Sequence, residues 1–181
     1  MLHLTSQANF IASNWDELYY KAPTPIVSQL IDGNTYYFYP ADCSRAQFNA
    51  PEGTPKTVSE WRAMGFDASS VFSPCGTRPT GARVSVRPNA YDANRAHIII
   101  NNFAGSSTVA VDLSSVLTSG DSFEIRNAQD YFGTPIVSGT YAGGSITIPM
   151  AGLTVARPVG WTGAMIPSSA PAFGAFILIK R

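Results

Sequence analysis

The feature that most constrains this chain is a series of short alternating segments running from about Gly81 to the C-terminus. Val84 and Val86 alternate with Arg83, Ser85 and Arg87, and Val109, Val111 and Leu113 alternate with Thr108, Ala110 and Asp112. Phe123 and Ile125 sit between Ser122, Glu124 and Arg126; Ile146, Ile148 and Met150 sit between Ser145, Thr147 and Pro149. A period of two puts successive side chains on opposite faces of a strand, so each segment has one apolar and one polar face. HIIINNF (97–103) reads as a strand buried on both faces at its centre, and FGAFILIK (173–180) as the closing strand. Glycine-containing breaks at 104–106, 119–121 and 141–144 separate the runs. This spacing predicts antiparallel sheets packed face to face, an all-β sandwich of about seven to eight strands over residues 79–181. Asp112 is expected to cap a single helical turn at 112–117. Residues 155–171 (VARPVGWTGAMIPSSAP) form a long loop, barred by its prolines from a central strand, with Trp161 and Met165 as apolar anchors onto the sandwich.

Residues 1–78 carry a second, smaller β unit. NWDELYYK (14–21) and NTYYFY (34–39) are aromatic strand candidates separated by Pro23, Pro25 and Asp32-Gly33. The four successive aromatics 36–39 put two rings on each face of a strand, so one face is either covered or open to a ligand. A helix follows over 58–64. Thr57 and Glu60 form a capping box, Val58, Trp61 and Met64 share one face, and Gly65 stops it. Trp61 is therefore expected to pack downward between Val58 and Met64, and Glu60 to serve the cap. Arg62 and Asp67 are left as ordinary surface or turn residues.

Leu18-Tyr19-Tyr20, followed by VSEWRAMGFDASSVFSP (58–74), resembles the final turns of secreted bacterial right-handed parallel β-helix proteins. RPNAYDANRAHIIINNF (87–103), VAVDLSSVL (109–117), FEIRNAQDYFG (123–133), GTYAGGSITIPMAGL (139–153) and APAFGAFILIKR (170–181) are similar to the β-sandwich tail found after such helices and after glycoside hydrolase domains. The resemblance implies that 1–78 are terminal coils closed by the helix, and that the protein is secreted. It carries no catalytic signature. A coil takes roughly 20–25 residues and several must stack to be stable, yet at most two fit before the helix. The chain is then expected to follow an upstream β-helix domain, or to associate with itself through its N-terminal β edge.

Charge narrows the partners. Lys+Arg and Asp+Glu number 12 each, for zero net charge. Without a basic stripe nucleic acid is not an expected partner, and without an apolar run of ~18 residues no membrane span is expected. MLHLTSQANF lacks the features of a signal peptide, so an extracellular location requires this chain to be a mature piece or fragment. Cys43 and Cys75 either pair, as suits a secreted protein, or are two unrelated buried thiols.

Sugar hydrolysis commonly needs two carboxylates; the candidates are Asp16/Glu17, Glu60/Asp67, Asp121/Glu124 and Asp130. Local roles account for most of them: a cap for Glu60, a turn for Asp67, the solvent side of a strand for Asp121 and Glu124. No catalytic residue is assigned. His3 and His97 are far apart, no GxSxG elbow occurs, and the histidines and cysteines form no metal cluster. Asp92-Ala93-Asn94 reads as a turn; no cofactor is expected, with a structural calcium in a sandwich loop left open. Aromatics are the remaining signal, since indole and phenol faces cover the C–H face of a sugar. Trp15, Tyr19, Tyr37, Tyr39 and Trp161 are the candidate ligand-binding residues. Three functions follow: a non-catalytic accessory module of a secreted carbohydrate-active protein, capping its coils and binding polysaccharide; part of a polysaccharide lyase or glycoside hydrolase; or a self-assembling extracellular structural protein.

Overall fold

A computed structural model of the chain describes residues 3–13, 18–19, 28–40, 43, 48–49 and 54–181. The described elements are strands apart from one short α-helix and one 3-10 turn, and contacts divide the chain into two compact units, Met1–Pro79 and Thr80–Arg181.

In the first unit most strands pair in parallel, one winding upon the next. β1 (His3–Gln7), β2 (Phe10–Ser13) and β3 (Leu18–Tyr19) lie against β4 (Ser28–Asp32), β5 (Thr35–Phe38) and β6 (Phe48–Asn49) respectively. His3 is opposite Ser28 and Phe10 opposite Thr35, an offset of 25 in both ladders. The turn joining the strands repeats as well. Ala8 (φ 54) and Gly33 (φ 67), also 25 apart, both adopt the left-handed conformation, and an Asn follows each. Asn34 Oδ1 accepts from the Asn9 N–H (3.0 Å), and the Asn34 N–H in turn donates to Ser70 Oγ (2.8 Å). Side chains at equivalent positions thus satisfy the turn's backbone donors from one winding to the next.

β7 (Pro55–Lys56) runs antiparallel to β6, and α1 (Val58–Ala63) follows. The chain then rejoins the parallel ladder at β8 (Val71–Phe72), with Thr35 opposite Val71. Bonds from Asp67 N–H to the Ile31 carbonyl (2.7 Å) and from Ser73 N–H to the Tyr36 carbonyl (2.9 Å) extend it on either side. The helix is thus an excursion inserted between the second winding and the third.

Its start is the expected capping box: Thr57 Oγ1 accepts from the Glu60 N–H (3.3 Å), and the Glu60 carboxylate accepts from the Thr57 N–H (2.8 Å). Met64 is the C-cap and Gly65 (φ 90), the expected C′ residue, turns the chain away, with Ala63 rather than Met64 as the last helical residue. Trp61 is fully buried, its ring stacked on Phe48 with centroids 4.7 Å apart. Met64, expected beside it, is 40 % exposed. Once the chain reverses at Gly65, Phe66 covers the indole instead, at 4.6 Å. Ile31, Tyr36, Phe48 and Trp61 form this unit's core, with Ile11, Val58, Phe66 and Phe72 at its margin. Cys43 and Cys75 are joined by a disulfide, the first of the two alternatives open for them.

The second unit is an antiparallel β-sandwich of β9 (Ala82–Pro88), β10 (Arg95–Asn102), β11 (Thr108–Asp112), β12 (Ser122–Asn127), β13 (Val137–Thr140), β14 (Ser145–Pro149) and β15 (Phe173–Lys180). One sheet has the order β13-β12-β15-β10-β9, and β11 pairs with β14 in the other. Ile98, Ile100, Phe123, Ile125, Phe176 and Leu178 from the large sheet meet Val109, Val111 and Ile148 from the small one in a single core. β10 is not buried on both faces: Ala96, Ile98 and Ile100 point inward, Ile99 is half-buried and His97 exposed. At 112–117 there is a turn closed by the Leu117 N–H on the Leu113 carbonyl (2.9 Å), which does not continue into a helix. Asp112 takes the Ser114 N–H (2.9 Å), two residues on, so its side chain supports the turn.

Candidate functional site

The first unit's most unusual chemistry is a buried carboxylate. Asp67, expected to be an ordinary turn residue, is fully buried. Its Oδ2 accepts from Trp61 Nε1 (2.7 Å) and the Tyr36 hydroxyl (2.8 Å); its Oδ1 accepts from Asn34 Nδ2 (2.9 Å) and the Ser70 hydroxyl. Four donors converge on an acceptor-only group, one from the turn asparagine, one from β5, one from α1 and one from the turn before β8. Its backbone is left-handed (φ 52), a conformation Asp tolerates better than most residues. Arg62 is not a free surface residue either. Its guanidinium donates to the carbonyls of Ser70 (2.8 Å) and Asp67 (3.3 Å) and lies 4.8 Å over the Phe72 ring. Together these residues knot the helix to the third winding.

This knot is saturated. Each described carboxylate has a partner that accounts for it. Glu60 is held by Thr57, whose backbone N–H keeps the carboxyl below its usual range. Asp32 accepts from the Ser69 N–H (2.7 Å), and that bond likewise lowers it. Asp121 is lowered mainly by Lys180, 2.6 Å away. Glu124, expected on the solvent side of its strand, is only 8 % exposed and is lowered by Arg126 (2.8 Å) and Arg181 (2.7 Å). Asp92 is bonded to the Asn94 N–H (3.0 Å) and Arg95 (3.1 Å) inside the 89–94 turn, and Asp130 to the Thr154 hydroxyl. Asp16 and Glu17 lie outside the described residues. Among the described residues no three His, Cys, Asp or Glu side chains gather as metal ligands.

Of the candidate aromatics, Tyr37, Tyr39 and Trp161 have described side chains. Trp15 lies outside the described residues, and Tyr19 falls in β3 without a described side chain. Along β5 and the residue after it the rings alternate as the pattern required: Tyr36 and Phe38 are buried, Tyr37 and Tyr39 half-buried. Tyr37 packs against Phe10 (5.3 Å), and Arg78 covers the Tyr39 ring (4.7 Å).

Trp161 belongs to the second unit and does not anchor its loop to the core. It is 48 % exposed, Met165 50 %, Ile166 52 %, and Val159 fully exposed. The anchors are polar and missed by the sequence reading: the Gln129 carbonyl takes the Ala156 N–H (2.8 Å), and Gln129 Oε1 takes the Ser169 N–H (3.1 Å). Asn127 Nδ2 adds a bond to the Thr154 carbonyl (2.7 Å). The indole is instead fixed within its own loop, its Nε1 donating to the Ala164 carbonyl (2.9 Å) and its ring seated on Gly163.

No family model, curated protein or solved structure matches this chain.

Proposed function

We propose that the chain is a non-catalytic accessory module of a secreted carbohydrate-active protein: residues 1–78 close a stack of parallel coils, and the sandwich at 79–181 contacts polysaccharide. The observation that carries this reading is the pair of parallel ladders with a common offset of 25, followed by a third winding that α1 precedes and the Asp67 knot locks. Such ladders are stable only when windings stack. A helix set over the aromatic interior just before the third winding suits the end of a stack. Among the described residues β1 has a ladder partner on one side, β4, which leaves its other side as the register for a preceding coil. The Cys43–Cys75 bridge supports an oxidising, extracellular setting. The non-catalytic part of the reading is supported by the described carboxylates, each of which is already engaged by a cap, a turn, an ion pair, a neighbouring hydroxyl or the buried knot.

The test is direct. The chain, incubated with cellulose, xylan, mannan, polygalacturonate and alginate, should release neither reducing ends nor unsaturated sugar ends. Release of either, abolished by replacing one carboxylate, would replace this reading with a glycoside hydrolase or a polysaccharide lyase.

A further inference from the structure

The loop between β14 and β15 is built to present a ring. Gln129 clamps both of its stems, at Ala156 and Ser169, so residues 157–168 form a closed loop standing on one side chain and one carbonyl. Compact loops with joined ends and their own internal packing are frequently functional. Inside it the Trp161 N–H bonds to the Pro158 carbonyl (3.1 Å) and Arg157 Nη2 to the Gly163 carbonyl (3.3 Å). A Cβ at position 163 would stand 2.7 Å from the indole, so only glycine lets the ring lie there. Gly163 thus lies against the ring, the Nε1 donor is used internally, and nearly half of the residue still meets solvent.

Resting on the accessory-module reading above, we infer that this loop is a stacking platform for a neutral polysaccharide, with Trp161 as its anchor. A flat apolar face held in place covers the C–H face of a pyranose and loses little freedom on binding. Other occupants fit worse. The sequence RPVGWTGAMI (157–166) has one cation and no anion, and that cation is engaged with Gly163. An acidic polysaccharide or an anionic bilayer calls for several free cations. A stable protein interface needs roughly 800 Å² per partner from about 20–30 residues, far more than this ten-residue run supplies. β15 begins beside the end of β10, with Phe173 opposite Asn101. The fully exposed Tyr91, in the β9–β10 turn, therefore lies at the opposite end of the sandwich and serves as a control.

The test uses the full chain and its W161A, G163A and Y91A variants, mixed with insoluble cellulose, xylan and mannan, with polygalacturonate and alginate, and with phosphatidylcholine/phosphatidylserine vesicles. Melting temperatures are read alongside. The expected result is depletion by at least one neutral glycan. W161A weakens it about ten-fold or more (~1.4 kcal/mol), G163A weakens it with the indole still present, and Y91A and all melting temperatures stay near wild type. Neutral-glycan binding unchanged by W161A would overturn the platform while leaving a polysaccharide-binding module standing. Binding only to polyanions or vesicles, or to nothing, would overturn it as well. The coil-closing reading stands or falls separately, on the stability experiments below.

Discussion

Replacing Asp67 with Asn removes a single negative oxygen and little else. Asn tolerates the left-handed backbone (φ 52) at least as well as Asp, so no backbone strain is added. Whichever way the new amide turns, its NH2 faces two buried donors: either Trp61 Nε1 and the Tyr36 hydroxyl, or Asn34 Nδ2 and the Ser70 hydroxyl. Hydrogen bonds to a charged group contribute about 1.5–3 kcal/mol each, and a buried donor left without an acceptor costs about 1–3 kcal/mol. Loss of two such bonds, partly relieved because a hydroxyl can rotate, gives about 3–5 kcal/mol. That is a large share of the ~5–15 kcal/mol that holds a domain together. At about 4–8 °C per kcal/mol for a unit this small, the melting temperature of the first unit should fall by at least about 12 °C. Denaturant titration followed by near-UV circular dichroism reads the loss, because Trp61 and Tyr36 are in direct contact with the substituted group. An Asp67→Asn protein within about 1 kcal/mol of wild type would refute the knot, and with it the claim that the third winding is locked by this carboxylate.

Trp61→Phe, which keeps the stack on Phe48 but deletes the Nε1 donor to Asp67, should cost about 1.5–3 kcal/mol by the same titration. Ala8→Gly should raise stability by about 0.5–1 kcal/mol, since Ala8 adopts the left-handed backbone that glycine already provides at the equivalent Gly33; a drop would deny the repeat. Reducing Cys43–Cys75, which closes a separation of 32 residues, should cost about 2–4 kcal/mol in the first unit, measured as a melting shift with and without reductant. Asp32, Glu60, Asp112, Asp121 and Glu124 are all held below their ordinary range by hydrogen bonds or ion pairs that exist only in the folded chain. Their contribution is complete above the unfolded carboxylate range, about pH 4, and is lost as pH falls through the lower folded values. Melting temperature should therefore decline steadily below about pH 4; a flat profile there contradicts these contacts.

The sandwich was legible because its information is local: each strand's inward face is written in alternate residues, and glycines mark the breaks. The same rule misleads at Ile98-Ile99-Ile100. A run of three cannot say that Ile99 sits on the half-exposed outer face while its neighbours fill the core. The capping box at Thr57 and Glu60 was equally local. Asp67 was not legible, because two of its donors arrive from Asn34 and Tyr36, more than thirty positions away, and only the stacking of windings brings them near. The 25-residue repeat is carried by two turn residues, Ala8 and Gly33, and by the asparagines that follow them, too few to stand out in sequence. Helical spacing placed Met64 beside Trp61, but the helix ends at that residue and Gly65 swings Phe66 into the space. For Trp161, composition names an apolar side chain in a loop without telling which way it points. Gly163 and the Ala164 carbonyl decide that, by giving the indole a seat outside the core.

Hydrogen exchange by mass spectrometry on the wild type and Asp67→Asn protein tests the central claim most directly. If the carboxylate knot closes the stacked windings, the substitution should abolish amide protection across 28–38 and 67–76 together. It should leave 95–102 and 173–180, in the sandwich with its own core, as protected as before. Protection lost only at residues beside position 67, with the ladder from Ile31 to Gly76 intact, would contradict the account.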